Sequence, residues 1–296
     1  MNFSVTVPTY NRPKDLSNFL NSLFNQSLKP TEVLIIDDGD LEKDYIEKYK
    51  NKFSAIDIDL IYYKKDHSKE RRGLSESKNK ALDLAGEKII FFFDDDIILD
   101  DPHFLQKMMK VWEENDEERL IGVGGLIKGA RKKSGWEKMY NKFFGLNSTE
   151  SSWDITDAGF QVWNECIIHK QKGYYVHGGV TSFRREVAKT FQFATFSGGR
   201  TGLEDVDFCL RAKNKGYYFI IEPKAKVIHN HVQTSKEKDF LIGQKESKNR
   251  KEIFQKNCKK NPLNYFRFFW GNLGWVLKSL LAGRIKKALG MLRGLF

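Results

Sequence analysis

Lys88–Asp101 reads KIIFFFDDDIILDD. Ile89 to Phe93 form an unbroken apolar run that ends in three adjacent carboxylates, Asp94, Asp95 and Asp96. Large and β-branched side chains without polar alternation suit a strand buried on both faces, as in a parallel sheet covered by helices. Three neighbouring aspartates repel one another and cost stability unless a cation or hydrogen-bond donors sit among them. In open α/β sheets ligands bind outside the carboxyl ends of the strands, which is where these aspartates fall. Oxygen-only ligands suit a hard divalent ion, and Mg²⁺ is commonly held by one or two carboxylates plus substrate phosphates. The plain alternative is a solvated acidic turn.

Upstream of this run, Phe3–Val7 reads as a first strand, and Pro13 suits the first turn of the helix after it. That helix carries Leu16, Phe19, Leu20, Leu23 and Phe24 on one face. Thr31–Asp38 is a second strand ending in carboxylates, Leu41–Lys50 a charged helix, and Ile58–Tyr63 a third strand. A polar loop, Lys64–Gly73, leads to a helix through Asn79 that stops by Gly86. Strands and helices alternating at these lengths give parallel βαβ units. Downstream, a helix at Pro102–Glu114 and a strand at Leu120–Ile127 precede Lys128–Gln161, a weakly periodic insertion expected to wall the acceptor side. Val162–His169 and Tyr174–Phe183 read as strands, with Gly178-Gly179 breaking the second, Glu204–Lys215 as a helix, and Tyr217–Glu222 and Ala225–His229 as short strands around Pro223.

The 296 residues suffice for one large α/β domain or two smaller ones, and 40% hydrophobic with 30% charged content is that of a soluble globular chain. Three scattered cysteines, Cys166, Cys209 and Cys258, lack metal-ligand spacing and point to a reducing, cytoplasmic compartment. A strand begins at once, so no signal peptide is expected. The net charge of +11 is unevenly placed: residues 1–235 carry 35 basic and 35 acidic side chains, and the whole excess lies in residues 236–296. A nucleic-acid reader shows its basic face on the folded domain, so no nucleic-acid partner is expected.

In a parallel sheet the strand ends Val7-Pro-Thr-Tyr-Asn-Arg, Ile36-Asp-Asp-Gly and Asp94-Asp-Asp converge with the loop Asp66–Arg72 on one rim. Asp37 or Asp38, Arg71 or Arg72, and a metal on the aspartate cluster would suit a nucleoside diphosphate. Taken singly, Asp37-Asp38-Gly39 is also ordinary turn chemistry.

With Ser77-Lys-Asn-Lys-Ala-Leu and Leu203-Glu-Asp-Val-Asp-Phe-Cys-Leu-Arg added, this ordered set resembles the family 2 inverting glycosyltransferases, over residues 3–231. The resemblance implies the GT-A fold: α/β, with a mostly parallel central sheet flanked by helices, here in residues 1–235, followed by a basic helical C-terminal extension, 236–296. It also implies roles. Pro8, Thr9, Tyr10, Arg12, Asp37, Asp38, Arg71, Arg72 and Asn79 fall to donor binding, as do Asp94, Asp95, Gly178, Gly179 and Glu204. Asp96 and His229, with His231 as the alternative, fall to a Mn²⁺ or Mg²⁺ ion, and Asp205 is the catalytic base. The implied reaction is metal-assisted single displacement from a nucleoside-diphosphate sugar to a hydroxyl, such as that of a polyprenyl-phosphate-linked glycan. A sugar nucleotidyltransferase is the rival enzyme, but Pro8-Thr-Tyr stands where a Gly-rich phosphate loop is wanted. The non-enzyme rival is a basic binder of anionic lipid or nucleic acid.

Asn264–Phe296 has no acidic residue, and its longest uncharged run, Phe268–Leu277, has ten residues. That is well short of the roughly 20 needed to span a bilayer. Leu273, Leu277, Leu280, Leu281, Ala288, Leu292 and Leu295 recur at helical spacing beside Lys278, Arg284, Lys286, Lys287 and Arg293. One amphipathic helix lying on an anionic membrane surface, on the cytoplasmic face, is expected. The competing expectation packs its leucines against the enzyme or a partner chain.

Overall fold

A computed structural model describes residues 1–129, 131–147, 152–197, 202–230 and 238–296. The first half runs β1 (Phe3–Thr9), α1 (Pro13–Phe24), β2 (Glu32–Asp37), α2 (Lys43–Ser54), β3 (Asp59–Lys64), α3 (Leu74–Leu84), β4 (Ile89–Phe93), β5 (Ile97–Ile98), α4 (Phe104–Glu113) and β6 (Leu120–Ile127). There follow α5 (Gly135–Phe143), β7 (Asp154–Ile155), β8 (Gln161–Val162), β9 (Gln171–Gly173), β10 (Val180–Arg184), α6 (Arg185–Phe191), α7 (Glu204–Asn214) and β11 (Tyr218–His229). Three helices end the chain: α8 (Asp239–Asn257), α9 (Pro262–Leu281) and α10 (Ile285–Leu295).

The main sheet has the order β3-β2-β1-β4-β10-β6-β11-β5, with β9 beside β11. β3, β2, β1 and β4 are mutually parallel, as are β6 and β11, and β10 lies antiparallel between β4 and β6. β4 is central and wholly buried, because its alternate side chains enter two cores. Phe91 and Phe93 meet Phe3 and Phe19 at 5.2 and 5.4 Å on the α1–α4 side. Phe92 meets Phe183 and Phe193 at 5.7 and 5.5 Å on the α3–α7 side. The chain steps outward from β1 to β3, then returns across β1 to β4. The strand order therefore reverses between β1 and β4, the position where open α/β sheets bind ligands.

Four expectations need correction. In Val162–His169 only Val162 joins a strand, because side chains hold the remainder: the Trp153 indole donates to Asn164 O at 3.0 Å, and Asn164 Oδ1 accepts from Cys166 N at 3.0 Å. Tyr174–Phe183 breaks at Gly178-Gly179 as expected, with Thr181 Oγ1 donating to His177 O at 2.6 Å, but only the part from Val180 onward is strand. Pro223 does not divide two strands. It sits in one twelve-residue strand whose register shifts between Ile221 and Lys226, a position where proline's missing N–H is tolerated.

The described residues of Lys128–Gln161 are not among those that line the cleft at the β1–β4 reversal. Its helix α5 instead covers α9: Tyr140 donates to Gly274 O at 2.6 Å, and the Trp270 indole donates to Phe143 O at 2.7 Å. The fourth correction is that the single amphipathic tail helix is two helices, parted at Gly283 with φ +71°. Ile253 of α8 enters the core beside Val206 and Phe208, and Asn257 donates to Asp207 Oδ1 at 2.7 Å. No helix among the described residues is long and apolar enough to cross a membrane.

Candidate active site

A cleft of about 530 Å³ opens at the β1–β4 reversal, a size suited to a small-molecule ligand. Pro8, Thr9, Tyr10 and Arg12 line it from the loop after β1, Asp38 and Arg72 from the next two loops, and Asp94, Asp95 and Asp96 from the end of β4. Glu204, His229 and Ile242 also line it.

The three aspartates diverge. Asp95 turns back into the sheet end, where Thr9 Oγ1 donates to it at 2.8 Å and Arg12 at 2.5 Å. Burial, only partly offset by these donors, pushes its carboxyl up to about 6. Asp96 takes Arg12 at 3.1 Å and His229 Nε2 at 3.0 Å. Burial raises its pKa, but His229 and Arg12 outweigh that and lower it. Burial disfavours the His229 imidazolium, yet Asp96 and Asp94 prevail and raise its pKa. Asp94 goes up, through burial that Lys78 and His229 only partly counter.

Asp94, Asp96 and His229 each offer one ligand atom, and these atoms lie within 4.8 Å of one another. Two carboxylates and an imidazole so gathered, at the end of the strand that lines the cleft, fit one divalent cation. His231, the alternative ligand, lies outside the described residues.

The adjacent pair after β2 separates by function. Asp37 is fully buried and closes the turn, accepting from Gly39 N at 2.7 Å, Leu41 N at 2.9 Å and the Tyr62 hydroxyl at 2.8 Å. Asp38 faces the cleft, held by Lys65 at 2.8 Å and Gly73 N at 2.9 Å. Arg72 lines the cleft and Arg71 does not. Asn79, expected at the donor, is spent elsewhere: it donates to Phe193 O at 2.9 Å and accepts from Phe193 N at 2.7 Å, pinning α3 to the chain after α6.

Beside the cleft, Gly178 and Gly179 are required by close approach. A Cβ at Gly179 would lie 2.2 Å from Asp94 Oδ2, and one at Gly178 would lie 2.8 Å from Lys78 Nζ and 3.1 Å from Asp205 Cβ. Asp205, in the first turn of α7, accepts from the Tyr175 hydroxyl at 3.0 Å and from its own helix at Val206 N at 2.8 Å. It is half-buried beside Glu204, which lines the cleft. Burial and Glu204 raise the Asp205 pKa against the pull of Lys78, His177 and Tyr175.

Several of these side chains have no role in the reading from sequence. Lys78 is buried on α3, 2.9 Å from Glu204, and its charge survives burial because Glu204, Asp94 and Asp205 surround it. The signal for it is a lysine on the apolar side of a helix, flanked by Ser77, Ala81 and Leu82. Tyr175 continues to His177 Nδ1 at 3.4 Å, and His177 Nε2 meets Glu165 Oε1 at 2.6 Å. These three sit in segments read as plain strand.

Residues 4–189 match the family model described as glycosyl transferase family 2. The chain is 25% identical over 252 residues to the glucosyl-dolichyl phosphate glucuronosyltransferase of Haloferax volcanii, covering 82% of this chain and 73% of that one. Among solved structures it resembles a mannosyltransferase of Pyrobaculum calidifontis in complex with GDP-Man and Mn²⁺, at a TM-score of 0.60 and 17% identity, over 99% of this chain and 79% of that one. A fragment of S. aureus TarS in complex with UDP-GlcNAc gives a TM-score of 0.60 at 16% identity, with the same coverage. At these identities the structural likeness shows the GT-A fold.

Proposed function

The chain belongs to glycosyl transferase family 2, and we propose that it moves a sugar from a nucleoside-diphosphate donor to a hydroxyl of a lipid-linked acceptor, with inversion, at the cytoplasmic face of a membrane. That it is a glycosyltransferase follows from the family. The observation that carries the rest is the gathering of Asp94, Asp96 and His229 at the cleft that Asp38, Arg72 and Glu204 also line. The glucuronosyltransferase relative, whose name specifies a dolichyl-phosphate-linked substrate, supports a lipid-linked acceptor.

Asp38 and Arg72 suit the nucleotide, Arg72 as a charged phosphate partner. Gly178 and Gly179 leave room for the Asp94 carboxylate and the Lys78 ammonium against the backbone. A divalent cation held by Asp94, Asp96 and His229 would offset the charge that develops on the leaving diphosphate, and the imidazole favours Mn²⁺ over Mg²⁺, which prefers oxygen ligands. Asp205 takes the proton of the attacking hydroxyl. Its raised pKa makes it a stronger base than a solvated aspartate, while Lys78 and the Tyr175 hydroxyl pull toward the ionised form. One base acting opposite one leaving group gives single displacement and inversion.

The test is Asp205→Asn, assayed by release of nucleoside diphosphate from a panel of nucleotide sugars with lipid-linked acceptors. Turnover should fall by about 10² or more, the scale of a general base, with donor affinity preserved. Near-normal turnover with weakened donor affinity makes Asp205 a binding residue and defeats the assignment.

A further inference from the structure

The last two helices are apolar on both faces. On α9 the buried positions include Gly271, Asn272 and Gly274, whereas Phe266, Phe269, Leu273 and Leu280 are exposed. These four recur at intervals of three, four and seven residues, so they form one stripe turned away from the enzyme. On α10 the inner face is Ala288, Gly290, Met291, Gly294 and Leu295, and the outer face is Ile285, Leu289, Leu292 and the following Phe296. Close packing selects the inner face: a Cβ at Gly290 would lie 1.9 Å from Phe240 O, and one at Gly294 would lie 2.2 Å from Gln244 O. A helix that ends its contacts at its own domain puts polar residues outside; these two bury Phe268, Val276 and Leu295 yet put large apolar residues outside as well.

The exposed face extends beyond the two helices. Trp136, Met139 and Phe143 stand exposed along α5, and Phe143 reaches Trp270 of α9 at 5.3 Å. Phe266 stacks on the same indole at 5.9 Å. Soluble monomers rarely leave a contiguous apolar patch of more than a few hundred Å² uncovered.

We infer that this face, from α5 across α9 to α10, is a docking surface for an anionic lipid bilayer. It deepens the proposed function, on which it rests, by naming the surface that brings the enzyme to its acceptor. Charge selects the occupant. Lys286 and Arg293 are exposed seven residues apart on α10, beside the apolar stripe, and residues 264–296 hold six basic and no acidic side chains. A second copy docked through the same patch would set that charge against itself, whereas an anionic headgroup layer complements it. Each basic residue near such a layer strengthens partitioning about fivefold. Trp136 and Trp270, with the phenylalanines around them, suit the headgroup boundary.

α8 links this region to the cleft: Phe240 O faces Gly290 on the inner side of α10, and Ile242, two residues on, lines the cleft.

The experiment is flotation of the full chain with vesicles of phosphatidylglycerol or of phosphatidylcholine, without donor or acceptor. Wild type should float with the anionic vesicles. Phe269→Glu/Leu273→Glu and Leu289→Glu/Leu292→Glu should each lower the bound fraction at least about tenfold. All these positions are exposed, and binding of nucleoside diphosphate, followed by calorimetry, reports an intact fold and a working donor site. Loss of nucleotide binding in wild type defeats the enzymatic reading and leaves the flotation result standing. Absence of wild-type flotation, or equal flotation of the variants, overturns the docking surface. So does a wild-type dimer that the same substitutions dissociate without any vesicle binding.

Discussion

Replacing Lys78 by methionine tests the electrostatic frame of the site. The ammonium is 2% exposed and sits 2.9 Å from Glu204, itself 9% exposed. At an effective dielectric of 20 that contact is worth about 6 kcal/mol of attraction before desolvation. Breaking a buried pair from one side costs about 3–5 kcal/mol. Glu204 limits the loss by taking a proton, which at pH 7 costs about 1.4 kcal/mol for each pH unit above its ordinary value, or about 4 kcal/mol. The sign follows. In the variant the folded state holds a proton that the unfolded chain releases above pH about 4.3, so its stability falls as pH rises from there. Lys78 in the wild type stays charged across this range, its pKa being raised. The difference between the two should therefore grow from about 1 kcal/mol at pH 5 to about 4 kcal/mol at pH 7. Urea unfolding at both pH values measures it, and adding Glu204→Gln should reduce the pH dependence to the part contributed by Asp94 and Asp205, which Lys78 also faces. A deficit that is the same at both pH values, or a double variant whose pH dependence is undiminished, refutes the pairing.

Asp96→Ala should weaken Mn²⁺ binding by about tenfold or more in the presence of nucleoside diphosphate, with the fold retained; unchanged affinity by calorimetry removes Asp96 from the metal site. Burial pushes the Cys258 thiol up to about 12 and the Cys209 thiol well above its usual range, so neither should react with iodoacetamide at pH 8. Cys258 should be slower than an ordinary thiol by about 10³. Peptide mapping of the alkylated native protein should find label on Cys166, and label on Cys258 at comparable speed contradicts the packing around it.

Periodicity made much of this fold legible. The buried run Ile89–Phe93 and the apolar face of α1 need no partner to be recognised, since each pattern is complete within its own segment. What escaped depends on pairing across the chain. Nothing in Val180–Arg184 states that it runs antiparallel between β4 and β6. Asp37 and Asp38 are chemically alike, and only the pleat decides which one enters the cleft. Asn79 reads as a site residue until Phe193, 114 positions away, claims both ends of its amide. Trp163 and Glu165 carry strand-like neighbours, yet ring contacts and the His177 pair hold them out of any ladder.

The place of β10 has a consequence for synthesis on the ribosome. β4 is paired on one side by β1 and on the other by β10, which lies 86 residues beyond its end. At roughly 5–20 residues per second, translation leaves that second edge open for about 4–17 s. The uncovered strand is IIFFF, a segment without charge or proline, the kind most prone to pair with another nascent chain. The three aspartates that follow it act as gatekeepers during those seconds, repelling like neighbours before they have any ligand to hold.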